Sequence, residues 1–277
     1  MDFQRKETYT IEDLLQIVRI LRSPGGCPWD REQTHQSIRA CLIEETYEAV
    51  EAIDTEDTEL LKEELGDVLL QVVFHADLET EAGRFNFDQV ADGICKKLIV
   101  RHPHVFGDVH VQDSAEVLKN WDAIKKSTKH QSTQAQVLES VSPALPALMR
   151  SAKVQQKAAK SGYDFADVWQ TLQKVEEETA ELKEAIRKGN AQDCQQEVGD
   201  LLFSVVNAAR HLKTEPEQAL TISCNKFIAR FTAAEELAKE RGQRLDTLSP
   251  EELDRLWDEV KPVSYTHLRA HETREDL

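Results

Sequence analysis

An internal repeat constrains this chain more than any other feature. Glu44, Glu45, Glu48, Glu64 and Asp67 recur 133 residues later as Glu177, Glu178, Glu181, Glu197 and Asp200. Their apolar surroundings recur with them, ELGDVLLQVVF from Glu64 being answered by EVGDLLFSVVN from Glu197. Lys97 and Arg101 (KLIVR) match Lys226 and Arg230 (KFIAR) at an offset of 129, and WDAIK at Trp121 to Lys125 matches WDEVK at Trp257 to Lys261 at 136. Offsets that drift by a few residues are what loop-length changes between duplicated domains produce. The chain therefore reads as two tandem copies of one domain, residues 1–126 and 143–262. The polar, weakly periodic stretch 127–142 joins them as a linker. Residues 263–277 change character abruptly after Lys261-Pro262 and belong to neither copy; they read as a foreign or disordered tail.

Periodicity is helical nearly throughout. Ile11, Leu14, Leu15, Val18 and Leu21 follow the i, i+3, i+4, i+7 spacing of an amphipathic helix, which Pro24-Gly25-Gly26 ends. Helices are predicted over about 36–53 and 58–79, joined by the acidic turn Asp54 to Asp57, then over 88–100 and 115–126. Pro103 stops the helix that carries Lys97 and Arg101, because proline cannot continue the hydrogen-bond ladder. Only 10 Gly and 8 Pro in 277 residues, with 6% aromatics, argue against a turn-rich β fold. The predicted class is all-α.

The chain holds 51 Asp and Glu against 34 Lys and Arg, a formal charge of −17. Duplex nucleic acid and anionic membrane surfaces are disfavoured as partners, since both are bound through Lys and Arg. Phosphate ligands are not excluded, because divalent cations bridge two anionic partners. Five cysteines without a CxxC pair point to free thiols and a reducing compartment rather than a disulfide framework. No apolar leader opens the sequence and no apolar run is long enough to span a bilayer, so a soluble cytoplasmic protein is expected.

The acidic positions carry the chemistry. Residues three and four apart share one helix face, so Glu45 projects with Glu48, and Glu64 with Asp67 on the next helix. A short turn makes the two helices antiparallel, which lets the four carboxylates converge; Glu178, Glu181, Glu197 and Asp200 repeat the arrangement. On its own an EExxE in so acidic a chain is a solvated face. The following helix changes that reading. Leu65, Val68, Leu69, Leu70, Val72, Val73 and Phe74 surround it, as do Val198, Leu201, Leu202, Phe203, Val205 and Val206 in the second copy, and such a helix is expected to be buried. Glu197, Asp200, Ser204 and Asn207 nevertheless form one polar stripe along it. Clustered carboxylates in such a place need cations or protons to compensate them. Oxygen donors without His or Cys point to Mg²⁺, with Mn²⁺ as an alternative. A di-iron centre needs Glu-x-x-His on two helices, whereas only Glu32 to His35 has that form, and it is not repeated.

Lys226 and Arg230, and Trp257 with Lys261, sit i, i+4 on helices. Beside cation-type carboxylates they offer positive charge for phosphate oxygens and an aromatic face for a base. Lys97, Arg101, Trp121 and Lys125 are their first-copy counterparts.

GCPWDREQTH, LIEETYEAVEAI, EELGDVLLQVVFHA, RHPHVFGD, NWDAIK, SPALPALMRSAKVQQKAA and EVGDLLFSVVNAARHL together resemble a full-length, two-domain MazG protein, over about residues 10–262. That family comprises all-α nucleoside triphosphate pyrophosphohydrolases, and EExxE followed by ExxD is its signature. The resemblance implies Mg²⁺-dependent hydrolysis of a nucleoside triphosphate to monophosphate and pyrophosphate, as nucleotide-pool housekeeping, in a homodimer that completes its sites. It also implies roles. Glu178, Glu181, Glu197 and Asp200 would hold Mg²⁺, and Glu177 would orient or deprotonate the attacking water. Lys174, Lys226, Arg230 and Lys261 would hold phosphates, and Trp257 would contact the nucleoside. Glu44, with Glu45, Glu48, Glu64 and Asp67, occupies the matching places in the first copy. Lys174 maps onto Cys41, so the second copy is expected to be the main catalytic one. Another metal-dependent nucleotide phosphohydrolase, or a non-catalytic helical cation-binding scaffold, stays open from the residues alone.

Overall fold

The structure, a computed structural model, describes residues 3–128 and 133–272. It divides into two compact units, residues 1–128 and 129–277. All regular structure among the described residues is helical.

Unit 1 contains α1 (Ile11–Arg22), α2 (Pro28–Glu32), α3 (Arg39–Asp54), α4 (Thr58–Glu81), α5 (Phe87–Arg101), α6 (Pro103–Phe106) and α7 (Ser114–Thr128). Local chemistry sets these bounds. Asp13 of α1 accepts from the Thr10 backbone N–H at 2.9 Å, satisfying one of the donors that a helix start leaves unpaired. The Asp57 side chain does the same for α4, accepting from the Glu59 and Leu60 N–H groups. Pro103 opens α6 at the step where α5 ends, as its missing N–H requires. α3 and α4 form an antiparallel hairpin, and α1 lies against α4. Val18, Ile38, Val73 and Phe74 make the core, with Leu14, Leu15 and Leu70 packed on it. Burying each large apolar side chain of this kind contributes about 2 kcal/mol.

Unit 2 repeats the plan with α9 (Ala147–Ala159), α10 (Val168–Lys188), α11 (Ala191–His211), α12 (Pro216–Glu240) and α13 (Pro250–Glu272), preceded by α8 (Gln134–Glu139). α10 and α11 form the hairpin equivalent to α3 and α4, and α9 packs on α11 as α1 packs on α4. The turn is tighter here. Gly189 takes φ +68° to end α10, and Asn190 at once caps α11 by accepting from the Gln192 and Asp193 N–H groups. α12 and α13 pack through Ala234, Ala238, Leu256 and Val260.

Three sequence expectations change. The stretch 127–142 contains α8, capped by Thr133 and anchored through the buried Val137; its residues 129–132 lie outside the described ones. The α13 backbone continues past Pro262 to Glu272, and residues 273–277 of the expected tail lie outside the description. Most importantly, α4 and α11 are not buried all round. Leu65 is 55% exposed, Leu202 52% and Val205 46%. A hairpin plus one crossing helix covers only one side of each, and the apolar remainder stays on the surface.

Candidate active site

The hairpins bring the acidic residues together in both units. In unit 2, carboxylate oxygens of Glu178 on α10 and of Glu197 and Asp200 on α11 all lie within 4.8 Å of one another. In unit 1, Glu45 and Glu48 on α3 and Glu64 on α4 do the same. The fourth member of each set stands beside its cluster. Glu181 is one turn beyond Glu178, and its carboxyl is pushed above its ordinary value by burial and then by the Glu178 charge, against the pull of Lys174. The Glu45 carboxyl is pushed up by burial and then by the charge of Asp67. Glu64 is raised by burial and then by Glu48.

The two clusters differ in how their charge is compensated. In unit 2, Lys174 Nζ lies 2.7 Å from Glu178 and 2.9 Å from Glu177. These two carboxylates, Glu178 foremost, hold the ammonium well above its ordinary range. Glu178 is only 5% exposed, so the pair is partly sheltered from solvent. In unit 1, Cys41 occupies the position of Lys174 and supplies no charge. Glu44 and Glu177, which precede the clusters, are both exposed.

The expected phosphate and base group is arranged otherwise. Trp257 packs against Phe227, ring centres 5.2 Å apart, and Lys261 Nζ donates to Asp258 at 2.6 Å. Lys226 and Arg230 are half-buried on α12. None of the four lines the cavity beside the unit 2 cluster. In unit 1 the Arg101 guanidinium lies over the Trp121 ring at 5.5 Å, with His102 edge-on to the same ring at 4.9 Å. Lys97 is exposed and Lys125 half-buried. Trp257, Lys261, Arg101 and Trp121 are thus engaged with neighbours in their own units.

The cavity itself measures about 530 Å³. Lys174, Glu178 and Asp200 contribute to its wall, together with Ser204 and Asn207 of the polar stripe. Further wall comes from Leu138 on α8, Val154, Gln155 and Ala158 on α9, the turn Gly162 to Phe165, and Phe203 and Arg210 on α11, of which the motif reading singles out none as a site residue. Arg210 ties the turn to α11 through an ion pair with Asp164, and its Nη2 donates to Asn207 Oδ1 at 2.7 Å. Burial alone would raise the Asp164 carboxyl; Arg210 overrides it and holds the group below its ordinary value. One signal could have revealed these positions. Carrying the offset of 133 along α11 gives Phe74 for Asn207 and Asp77 for Arg210, so the repeat breaks at the cavity while holding at the carboxylates.

Helix hairpins that present paired acidic clusters beside a mixed polar and apolar cavity define an all-α class with oxygen-donor sites. Comparison with known proteins narrows the class. The MazG nucleotide pyrophosphohydrolase domain matches the chain twice, over residues 33–106 and 166–233. The chain is 44% identical over 250 residues to the nucleoside triphosphate pyrophosphohydrolase/pyrophosphatase MazG of Thermotoga maritima, covering 90% of this chain and 95% of that protein. It is 41% identical over 254 residues to the nucleoside triphosphate pyrophosphohydrolase of Escherichia coli K12, covering 91% and 97%. The uncharacterized protein YabN of Bacillus subtilis is 50% identical over 246 residues, which are 88% of this chain and 50% of that protein. The chain belongs to the MazG family.

Proposed function

We propose that this protein hydrolyses nucleoside triphosphates at the α–β phosphoanhydride, releasing a nucleoside monophosphate and pyrophosphate, as part of nucleotide-pool housekeeping. The observation that carries the reading is the meeting of Glu178, Glu197 and Asp200 oxygens within 4.8 Å, on the wall of a cavity large enough for a ligand. The names of the T. maritima and E. coli relatives support the reaction.

The donor set is all oxygen, which fits Mg²⁺, with Mn²⁺ as the alternative, better than a thiol- or imidazole-seeking metal. Glu178, Glu181, Glu197 and Asp200 are the residues that would hold it. The ion, when bound, supplies positive charge to the anhydride oxygens and makes water easier to deprotonate. Glu177 is placed one residue before Glu178, at the exposed rim, to take the proton of an attacking water. Lys174, held between Glu177 and Glu178, provides a cation beside the phosphates. In this reading Lys226, Arg230 and Lys261 add charge from α12 and α13, and Trp257 contacts the nucleoside. Glu44, Glu45, Glu48, Glu64 and Asp67 form the first-copy counterpart, with Lys97, Arg101, Trp121 and Lys125 beside them.

We also propose a homodimer in the cytoplasm. Exposed apolar residues on α11 and α12, among them Leu202, Val205, Ile228 and Phe231, support self-association. The five free thiols support a reducing compartment. No helix among the described residues is long and apolar enough to cross a membrane.

The test is product analysis on a panel of triphosphates with Mg²⁺. Pyrophosphate with monophosphate is the expected outcome. Orthophosphate with diphosphate would assign β–γ cleavage, and no turnover would leave a cation-binding scaffold. Glu178→Gln is expected to lower turnover roughly 100-fold, the scale of losing one group that stabilises developing charge. Glu45→Gln is expected to cost far less, because the first cluster lacks the lysine. Sedimentation then measures the oligomer.

A further inference from the structure

We infer that the unit 2 cavity takes the nucleobase of the substrate, recognised by the buried amide of Gln155 and the amide of Asn207. The inference rests on the nucleotide reading above and names the part of the substrate that this wall would select. Gln155 is 5% exposed and donates its Nε2 to the Phe203 carbonyl at 2.7 Å. A carbonyl can only accept, so the amide orientation is fixed and Oε1 is the atom left over. That Oε1 is buried and has no hydrogen-bond partner. An acceptor in this state costs free energy unless a donor reaches it.

Asn207 supplies the complement. Its Oδ1 accepts from Arg210 Nε at 3.0 Å and from Nη2 at 2.7 Å, so its N–H₂ group is what a ligand meets. Phe165 and Phe203 add ring faces to the same wall. One acceptor and one donor beside aromatic faces match a flat heterocycle with amide-like edges. Along α11, Asp200 and Asn207 are separated by roughly 10 Å at 1.5 Å per residue. That spacing sets the base two helix turns from the carboxylates, with the sugar and α-phosphate between them.

The counterpart of Asn207 in unit 1 has been rebuilt: Phe74 stands at its position on α4. The Arg22 guanidinium lies 5.0 Å from the Phe74 ring centre and donates to the Asp30 carbonyl at 2.6 Å and to Glu81 at 2.6 Å. The amide of Asn207 is replaced by a ring that carries a cation on its face, and Phe74 belongs to the core. The base-reading wall is therefore a property of unit 2.

The decisive experiment titrates the full-length protein calorimetrically with the four ribonucleoside monophosphates and with ribose 5-phosphate, which lacks a base. Mn²⁺ binding is followed separately by paramagnetic resonance, and folding by circular dichroism. Monophosphates are expected to bind at least about tenfold more tightly than ribose 5-phosphate. Gln155→Leu should weaken them about tenfold, the scale of one lost hydrogen bond, while leaving ribose 5-phosphate and Mn²⁺ unchanged. Gln155→Arg, which puts a donor-only cation where the acceptor stood, should abolish the base-dependent gain. Asn207→Leu replaces Gln155→Leu as the test if the latter does not fold. Equal binding of monophosphates and ribose 5-phosphate, or unchanged monophosphate affinity in the folded Leu variants, overturns the inference. The two readings fail separately. Base-dependent binding without triphosphate turnover would keep the pocket and remove the reaction; turnover with indifferent Leu variants would do the reverse.

Discussion

Lys174 Nζ sits 2.7 Å from a Glu178 carboxylate oxygen inside a cluster of like charges, and the matching position in the other unit is Cys41. The lysine is thus an internal counter-ion for the second cluster alone. Replacing it with Met leaves Glu178 buried without its partner, which should cost about 2 kcal/mol of stability in the absence of divalent ions. Adding Mg²⁺ should raise the melting temperature of Lys174→Met by more than that of the wild type, because the ion takes over the compensation. Thermal melts with and without Mg²⁺ check this; equal shifts would show that the lysine and the ion do not share a site.

Arg22 and Asp77 form a separate buried ion pair in unit 1, Nε to Oδ2 at 3.3 Å, with side chains 4% and 9% exposed. Burial followed by the Glu81 charge pushes the Asp77 carboxyl up, while Arg22 pulls it down. Arg22→Met should destabilise unit 1 by roughly 3 kcal/mol, at the low end for a broken buried pair because the contact is long. Arg22→Met with Asp77→Leu should recover much of that loss. Urea unfolding of both variants decides it, and a double variant as weak as the single one would refute the pairing.

Acid should remove the stability that the Glu79–Arg84 pair gives unit 1. The Arg84 guanidinium, with His35 assisting, lowers the Glu79 carboxyl to about 2 from its ordinary 4.5. A depressed carboxylate contributes stability that is full above the unfolded value and is lost as pH falls toward the folded one, so this contribution fades between about 4.5 and 2. His75, 2.7 Å from His35 between their Nδ1 atoms, is lowered from 6.5 by burial and then by His35. Staying neutral in the fold, it adds a loss that begins as pH drops below 6.5. Glu45, Glu64 and Asp77, whose carboxyls are raised, act in the opposite direction, so the difference between wild type and Arg84→Ala isolates the Glu79 contribution: the gap in their urea midpoints should be full above about 4.5 and close as pH falls toward 3. A gap that does not change with pH over that range would contradict the assignment.

Gly189 ends α10 at φ +68°, and a Cβ built there meets nothing within 4 Å. Gly189→Ala should consequently cost about 1 kcal/mol from backbone conformation alone. Gly189→Asn should cost less, since Asn tolerates the left-handed region. Chemical denaturation measures both, and an Ala variant as stable as the wild type would mean the turn has another low-energy path.

The helices and both acidic clusters were legible from sequence because their information is local: Glu178 and Glu181 share a face by spacing, and Asp57 and Asn190 cap by residue type. What α11 packs against was not. Leu202 and Phe203 read as core wherever their cover lies, and here both remain exposed. The packing of Trp257 on Phe227 is likewise tertiary, 30 residues apart in sequence. Asp164 and Arg210 meet across 46 residues, so their partnership is tertiary and no motif contains it. The break of the repeat at Asp77 and Arg210 was the one visible trace.

That break also limits how the two halves can evolve. Positions 77 and 210 carry opposite charges, Asp against Arg, and each is tied to a partner that suits its own sign. Exchanging Asp77 for Arg alone would set two guanidiniums side by side in a buried place, and exchanging Arg210 alone would face Asp164 with a second acid. A single exchange at either position thus leaves a like-charged contact, and only paired exchanges would carry one half's arrangement into the other.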